Sequence, residues 1–367
     1  MAVRTEWVEA AERFDELAEH WDDFAGASAP PFLRHGWFQA WWRAFGGERS
    51  MRACVLWDGD RIVGYLPCYA VRGRLEGMVN NHTPLFAGVA DGAENLGRLA
   101  QFLLSGSQRV FTARYVAAGG DFLRAIEKGA AEAGGRVVSR HQAESPIVET
   151  TGTFEGYKRS TSSKWLSRLA AYRRQMARGH GLELMVAERP DHFETTLEEG
   201  LQLENSGWKA REGTAILSDP TTESFYRDVV ELLRRSGELR LSMLRLNGAP
   251  AAFDLGFEHG NRLYCLKIGF NESFRKLSPG LVLRLSLVEH CFERGLEAHE
   301  LLGVNEPWKQ RFATEMRESK AIRCYGPRLD GRLASIGGSV VHGRAVPLMK
   351  RARARVRPRQ GNQARSP

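Results

Sequence analysis

The chain has 367 residues, 43% apolar and 26% charged, with 52 Lys plus Arg against 44 Asp plus Glu. This is the composition of a globular protein of two to three domains, or one large one. It excludes a mostly disordered chain, a collagen-like repeat and a small disulfide scaffold. The net charge of +8 sits at the end: eight basic residues follow from Arg344 on, and no acid follows Asp330. The rest is neutral overall, so charge alone is no argument for specific DNA binding.

The elements predicted in chain order begin with a short strand near Trp7 and a helix over 12–24, with Phe14, Leu17, Trp21 and Phe24 at helical spacing. An aromatic-rich helix follows over 35–45. Strands 51–57 and 61–69 read as a hairpin about Asp58-Gly59. A strand is predicted over 83–90, then a helix over 92–104 capped by Asp91. A strand at 109–117, a helix at 121–133 and an extended segment at 137–148 close the first half.

A long basic helix spans 160–178. Trp165, Leu169, Tyr172 and Met176 share one face. Lys158, Arg159, Lys164, Arg168, Arg173, Arg174 and Arg178 come without an acid between them. Such a run holds a polyanion or forms a solvated face. The order then repeats: strand 182–187, helices 193–203 and 224–235, and a hairpin of 239–246 and 251–257 about Asn247-Gly248. Strand 262–270, helix 278–294, strand 299–304, a short helix from Pro307 and strand 321–325 complete it. The two hairpins align at an offset of 189 residues. The expected fold class is α+β with mixed sheets, built from two similar halves.

The stretch 331–367, with Pro347, Pro358 and Gly361 among its arginines, is expected to be disordered. It reads as a contact for anionic membrane or RNA, or as a solvated end; no aromatic residue interleaves the arginines. Five scattered cysteines without a CxxC pair predict free thiols in a reducing compartment, and no HExxH or close ligand pair predicts a metal. Residues 1–21 carry acids and no apolar core, so no signal peptide is expected. No apolar run nears the roughly 18 residues of a membrane span. A cytoplasmic location follows as the expectation.

The repeated order of elements resembles the GNAT superfamily of N-acetyltransferases, and the tandem arrangement resembles its FemAB-related group. More closely, the chain is similar to acyltransferases associated with cellulose and exopolysaccharide synthesis, the CelD/BcsL type. The stretches that carry the likeness are Pro31-Phe32 through Trp42, Ile62-Val63-Gly64-Tyr65-Leu66-Pro67, Trp208-Lys209, Ser278-Pro279-Gly280 and Trp308-Lys309. The resemblance implies two tandem GNAT-like domains: 1–152 for the acceptor side or scaffold, a connecting basic helix at 153–180, and 181–330 with the acyl-CoA site.

An acyl-CoA enzyme of this fold needs N–H groups at a helix N-terminus for a pyrophosphate, a splayed strand pair for the pantetheine arm, and groups that move a proton. Arg275, Lys276, Ser278, Gly280 and Leu281 are the candidates for the first, with Ser278 as N-cap and Pro279 in the first helical position. Pro279 removes one donor, and only one glycine is present. Asn305 is placed to contact the pantetheine. Lys309 stands where the superfamily often has a Tyr, as a cation for an oxyanion or phosphate. Glu204 is a candidate general base, and Trp208 and Lys209 are candidates for holding the acceptor. Asp254 and Lys267 interrupt apolar strands and are expected to pair across a cleft.

The implied function is transfer of an acyl group, acetyl above all, from acyl-CoA to an amine of a small molecule, sugar or envelope precursor. The alternatives are a FemAB-like aminoacyl-tRNA-dependent transferase acting on a peptidoglycan precursor, and a non-catalytic exopolysaccharide assembly protein.

Overall fold

Turn chemistry fixes both hairpins. Asn247 and Gly248 each have positive φ, 50° and 75°, as a type I′ turn requires. In the first hairpin Asp58 pairs with Arg61, so the central residues are Gly59 and Asp60, one later than expected. Gly59 supplies the positive φ of 61°.

The computed structural model describes residues 3–26, 29–105, 110–161, 163–189 and 191–327. The segment 331–367 lies outside the described residues. The first half contains β1 (Arg4–Val8), α1 (Ala11–Glu16), α2 (Ala18–Ala25), α3 (His35–Phe45), β2 (Ser50–Met51), β3 (Ala53–Asp58) and β4 (Arg61–Leu66). It continues with β5 (Cys68–Val71), β6 (Arg74–Gly77), β7 (Val89–Ala90), α4 (Gly92–Ser105), β8 (Val110–Ala117), α5 (Asp121–Glu132) and β9 (Arg136–Glu149). Helices α6 (Phe154–Ser160) and α7 (Ser163–Gly179) lead on to β10 (Leu182–Glu188), α8 (Phe193–Glu204), α9 (Trp208–Arg211) and α10 (Pro220–Arg235). Then come β11 (Leu239–Leu246), β12 (Ala249–His259), β13 (Arg262–Phe270), α11 (Pro279–Glu293), β14 (Ala298–Glu300), α12 (Pro307–Gln310) and β15 (Glu315–Tyr325).

Several expectations change. The helix at 12–24 is two helices broken at Leu17. The stretch 83–90 is mostly loop, because Leu85 and Phe86 pack singly and only Val89–Ala90 pairs with β4. The helix expected at 224 starts at Pro220, where the Asp219 side chain accepts from the N–H groups of Thr221 and Thr222. The strand expected at 299–304 is only three residues long.

The strands form a 4-stranded sheet, β1-β3-β4-β7, and an 11-stranded sheet, β10-β11-β12-β13-β14-β9-β15-β8-β6-β5-β2. The larger sheet runs through both halves. β9 pairs with β15 from Arg136–Tyr325 to Ile147–Glu315, and its far end pairs with β14. β15 pairs on its other edge with β8. Each half thus closes its sheet with a strand reaching into the other. The division at 152 and 181 is our proposal for the units of the chain.

The halves are also bolted by side chains. Phe225 of α10 lies edge-on to Trp37 of α3 at 5.5 Å and beside Phe45 at 5.3 Å. Arg34, ahead of α3, donates two hydrogen bonds, 2.6 and 2.9 Å, to Glu238 ahead of β11. His259 approaches the same carboxylate at 2.7 Å. On α7, Trp165, Leu169 and Met176 are buried, and Arg173 pairs with Glu289 of α11 at 2.6 Å. Lys164, Arg168, Arg174 and Arg178 remain exposed.

Burial pushes the Glu238 carboxyl up, but His259, Arg34 and Ser236 outweigh it and bring its pKa down to about 2. A depressed carboxylate contributes stability that is full above its unfolded pKa and lost as pH falls through the folded one. Glu238→Gln should therefore lower stability near neutral pH by about 2 kcal/mol, the scale of a charge-assisted hydrogen bond. In urea unfolding the gap to wild type should close between about pH 5 and pH 2.

Candidate functional site

β13 and β14 are parallel neighbours for three residues only, Arg262–Tyr264 beside Ala298–Glu300. Beyond that β13 runs on to Phe270, while the chain turns away at Leu301. Glu300 holds the fork. It is fully buried, and its carboxylate accepts from Arg262 at 2.7 Å and from Arg317 at 2.7 and 2.8 Å. This ties β13, β14 and β15 together where the first two separate.

The separation opens a groove of about 650 Å³. The first half lines it with Asn81 to Leu85 and Tyr115, the second with Cys265 to Phe270 and Leu301 to Val304. A smaller cavity of about 220 Å³ lies over the start of α11, against Phe253, Leu281, Leu283 and Arg284. The two share Ile268, Gly269, Phe270 and Trp308 as a common wall. Gly269 is required here: a Cβ would stand 2.7 Å from the main chain of Glu204.

The expected donor-site residues gather at the smaller cavity. Arg275, Ser278, Gly280 and Leu281 line it, while Lys276 is exposed outside it. Ser278 is not the expected N-cap. Its backbone is left-handed, φ 52° and ψ 52°, and its side chain caps nothing. The reason is local: a 3-10 helix over Glu272–Leu277, itself capped by Asn271, runs directly into α11, and Ser278 absorbs the change of direction. Its carbonyl accepts from the N–H of Leu281 at 3.0 Å and of Val282 at 3.1 Å. Pro279 has no N–H, so Gly280 keeps the one uncommitted donor among the first three helical residues.

Glu204 and Lys209 face each other. Lys209 Nζ donates to Glu204 Oε1 at 3.0 Å and to the Ile268 carbonyl at 2.6 Å. Glu204 Oε2 accepts from the Ile216 N–H at 2.8 Å. Together they pin the segment 205–216 against β13. The Trp208 side chain lies outside the described residues. Lys309 is buried, with its ammonium donating to the carbonyls of Leu302 at 2.8 Å and Val304 at 3.3 Å, beside Glu306 at 3.2 Å. All three of its protons are spoken for, and it staples the turn after β14. Asn305 lines neither cavity; its amide donates to Glu144 at 3.0 Å, and its buried Oδ1 has no partner.

The expected Asp254–Lys267 pair does not form. A register shift in the β12–β13 ladder sets Lys267 opposite Leu255 and Asp254 opposite Ile268, so the two charges lie on opposite faces. Asp254 pairs with the buried Arg284 of α11 and accepts from the Cys265 thiol at 3.2 Å. Arg284 in turn lies 2.5 Å from His299 Nε2, and His299 Nδ1 lies 2.9 Å from the Leu263 carbonyl. Arginine only donates, so Nε2 accepts and Nδ1 carries the proton. Burial, with Arg284 adding to it, holds the His299 pKa down to about 3, which keeps the ring neutral.

Lys267 itself faces the groove. Its ammonium lies over the Tyr226 ring, 4.9 Å from the centroid, and makes no ion pair among the described residues. Burial first, and the charge of Lys209 second, bring its pKa down to about 8. Tyr226 Oη is 3.3 Å from His82 Nδ1, and burial followed by Lys267 takes the His82 pKa to about 4. His82 comes from the first half, in the loop just before the stretch 83–90 that sequence reasoning took for a strand. No spacing in the sequence signals its meeting with Lys267; only the closure of the two halves brings them together. Among the described residues no group of side chains suits a metal ion. No helix among them is long and apolar enough to cross a membrane.

Residues 163–310 match the family model for an acetyltransferase (GNAT) domain. Among curated proteins none matches the chain in sequence. Solved structures resemble it throughout its length. FemX superposes with a TM-score of 0.55 at 11% identity, over 92% of this chain and 99% of its own. The C-terminal domain (DUF2156) assigned to a lysylphosphatidylglycerol synthetase of Agrobacterium fabrum gives 0.54 at 14% identity, over 89% and 97%. L-PGS from Bacillus licheniformis gives 0.50 at 12%, over 87% and 93%. At such identities the likeness is one of fold, and with the matched domain it supports an acyltransferase. Residues 163–310 thus match a GNAT acetyltransferase domain, within a chain whose fold is like that of FemX.

Proposed function

We propose that the chain transfers an acyl group from acyl-CoA to an amine, and the observation that carries this is the common wall of the two cavities. A donor in the smaller cavity and an acceptor in the groove meet at Ile268 to Phe270, with the splayed strands beside them. The fit to the donor is uneven. Phe253, Phe270, Leu281 and Leu283 suit a narrow apolar arm. For the charged end the chain offers the Gly280 N–H and the side chains of Arg275 and Lys276, so side chains replace most of a backbone cradle. Bound acyl-CoA would supply the thioester.

In the transfer the amine nitrogen bonds to the carbonyl carbon, the carbon–sulfur bond breaks, and the proton shed by nitrogen ends on sulfur. Lys267 is placed to serve this. Lys209 and Lys309 are held by acids and carbonyls, whereas Lys267, its pKa brought down to about 8, presents to the groove a cation that no acid pairs among the described residues. We assign it the proton transfer and the charge opposite the carbonyl oxygen. The groove, closed by both halves, suits an amine on a small molecule or sugar, of the kind built into envelope or exopolysaccharide precursors.

A second reading has its own observation. The exposed cations of α7, Lys164, Arg168, Arg174 and Arg178, lie on the helix packed against α11. With so few backbone donors for a pyrophosphate, they favour an aminoacyl-tRNA as donor. The partner of the groove is then a peptidoglycan precursor.

Calorimetric titration with acetyl-CoA separates the two. Micromolar binding that weakens about tenfold in Arg275→Ala, a loss of roughly 1.4 kcal/mol, supports the first reading. No binding of acetyl-CoA or longer acyl-CoAs, together with salt-sensitive binding of tRNA, sinks it and favours the second. Lys267→Met should cut turnover about 100-fold, the scale of one general acid or base, and should remove the loss of activity that wild type shows as pH rises through about 8. The same variant should raise Tm by about 2–4 °C, because it relieves an unpaired buried cation.

A further inference from the structure

The sheet face of β6, β8, β15 and β9 turned away from α5 carries a third cavity, of about 400 Å³. The registers settle what faces it. Arg323 stands opposite Thr112 on one side and Val138 on the other, Ala321 stands opposite Arg140, and Glu76 stands beside Thr112. Side chains two residues apart share a face of a strand. Arg74, Arg114, Arg140 and Arg323 therefore all project on the face that holds the cavity, and all four line it. The opposite face, with Leu75, Phe111, Ala113 and Ile322, is core.

Four guanidinium groups meet one lining carboxylate, Glu76. Arg74 pairs with that acid at 2.7 Å, and Tyr69 also donates to it. Arg114 reaches the Asn81 amide oxygen at 3.4 Å and lies over the Tyr115 ring, with no carboxylate partner among the described residues. Arg140 and Arg323 make no ion pair or side-chain hydrogen bond among the described residues. Like charges on neighbouring strands repel, so this arrangement is held against a cost unless an anion fills it. The guanidinium fork fits the oxygens of phosphate better than a diffuse counter-ion.

We propose that this cavity is a binding site for the phosphate or diphosphate group of a small soluble molecule. The proposal does not depend on which donor the enzyme uses. A cavity of about 400 Å³ that gathers four arginines in one patch, rather than a long stripe, favours a small molecule over a nucleic-acid backbone. The cavity also adjoins the groove, because Asn81, which accepts from Arg114, lines it.

The test is titration of the full chain with inorganic pyrophosphate, followed by calorimetry and by the shift in Tm. The double variant Arg140→Gln with Arg323→Gln should weaken binding about tenfold or more. Lys128→Gln, on α5 across the sheet, should leave it unchanged; Arg275→Gln, at the smaller cavity over α11, should remove at most a second, separate pyrophosphate site and leave the one that depends on Arg140 and Arg323. Circular dichroism checks that the double variant is folded; Arg114→Gln alone gives a milder second substitution, expected to weaken binding less. Absence of saturable binding at millimolar pyrophosphate overturns the proposal. So does equal weakening by Lys128→Gln, which would mean general surface charge, or loss in Arg275→Gln alone, which would place the anion over α11. A short RNA that binds more tightly than pyrophosphate through the same two arginines would overturn the choice of ligand.

Discussion

The antiparallel pairing of β9 with β15 is the constraint on which the site depends. β9 ends the first half and β15 ends the described chain, yet they pair along the whole of β15. β15 then pairs with β8, and the end of β9 pairs with β14. Neither half can complete its sheet without the other. The groove follows from this: β14 joins β13 to β9 through the same three residues, and beyond them the chain stays with β9 and parts from β13 at the fork held by Glu300. Sequence-distant strands paired this way also make the fold one of high contact order, formed late and cooperatively.

Much of this fold was legible because the local signals agree. The Asn247-Gly248 turn specifies a hairpin from two residues, since both adopt positive φ. The face of α7 that buries Trp165, Leu169 and Met176 shows in its spacing alone. What was not legible is what pairing decides. Asp254 and Lys267 both look like charges out of place in apolar strands, and a pair between them is the simplest solution. One register shift between them puts the charges on opposite faces, and no residue type announces it. The loop at 83–90 fails for a related reason. Phe86 packs singly against Phe38 and Phe122 while Leu85 lines the groove, so apolar residues there do not mean a strand. Ser278 was read as a cap from its type, but the 3-10 helix before it dictates its backbone.

The buried polar groups divide by what satisfies them. Glu300, Asp254, Arg284 and His299 form arrangements that hold strands and helix together around the fork, and partners meet their cost of burial except at Arg284 Nε, which is buried without one. Glu204 with Lys209, and Lys309 with its carbonyls, do the same for the two loops that frame the groove. Of the candidate residues named from sequence, Glu204, Lys209 and Lys309 therefore brace these loops while also lining the groove, and Arg275, Ser278, Gly280 and Leu281 line the smaller cavity.

Against that background the cations without partners stand out. Lys267 is retained in the groove although its ammonium is opposed by desolvation and by Lys209. Arg140 and Arg323 are retained beside two further arginines on an open sheet face. Folding alone gains little from either arrangement beyond the contact of Lys267 with the Tyr226 ring, since an apolar side chain at the first and a neutral one at the second would relieve the repulsion. Groups that the fold disfavours, and that all face cavities, are best explained by what enters those cavities. The two places differ in the charge they suit: a single titrating cation fits a proton that must move, and four permanent cations fit an anion that must stay.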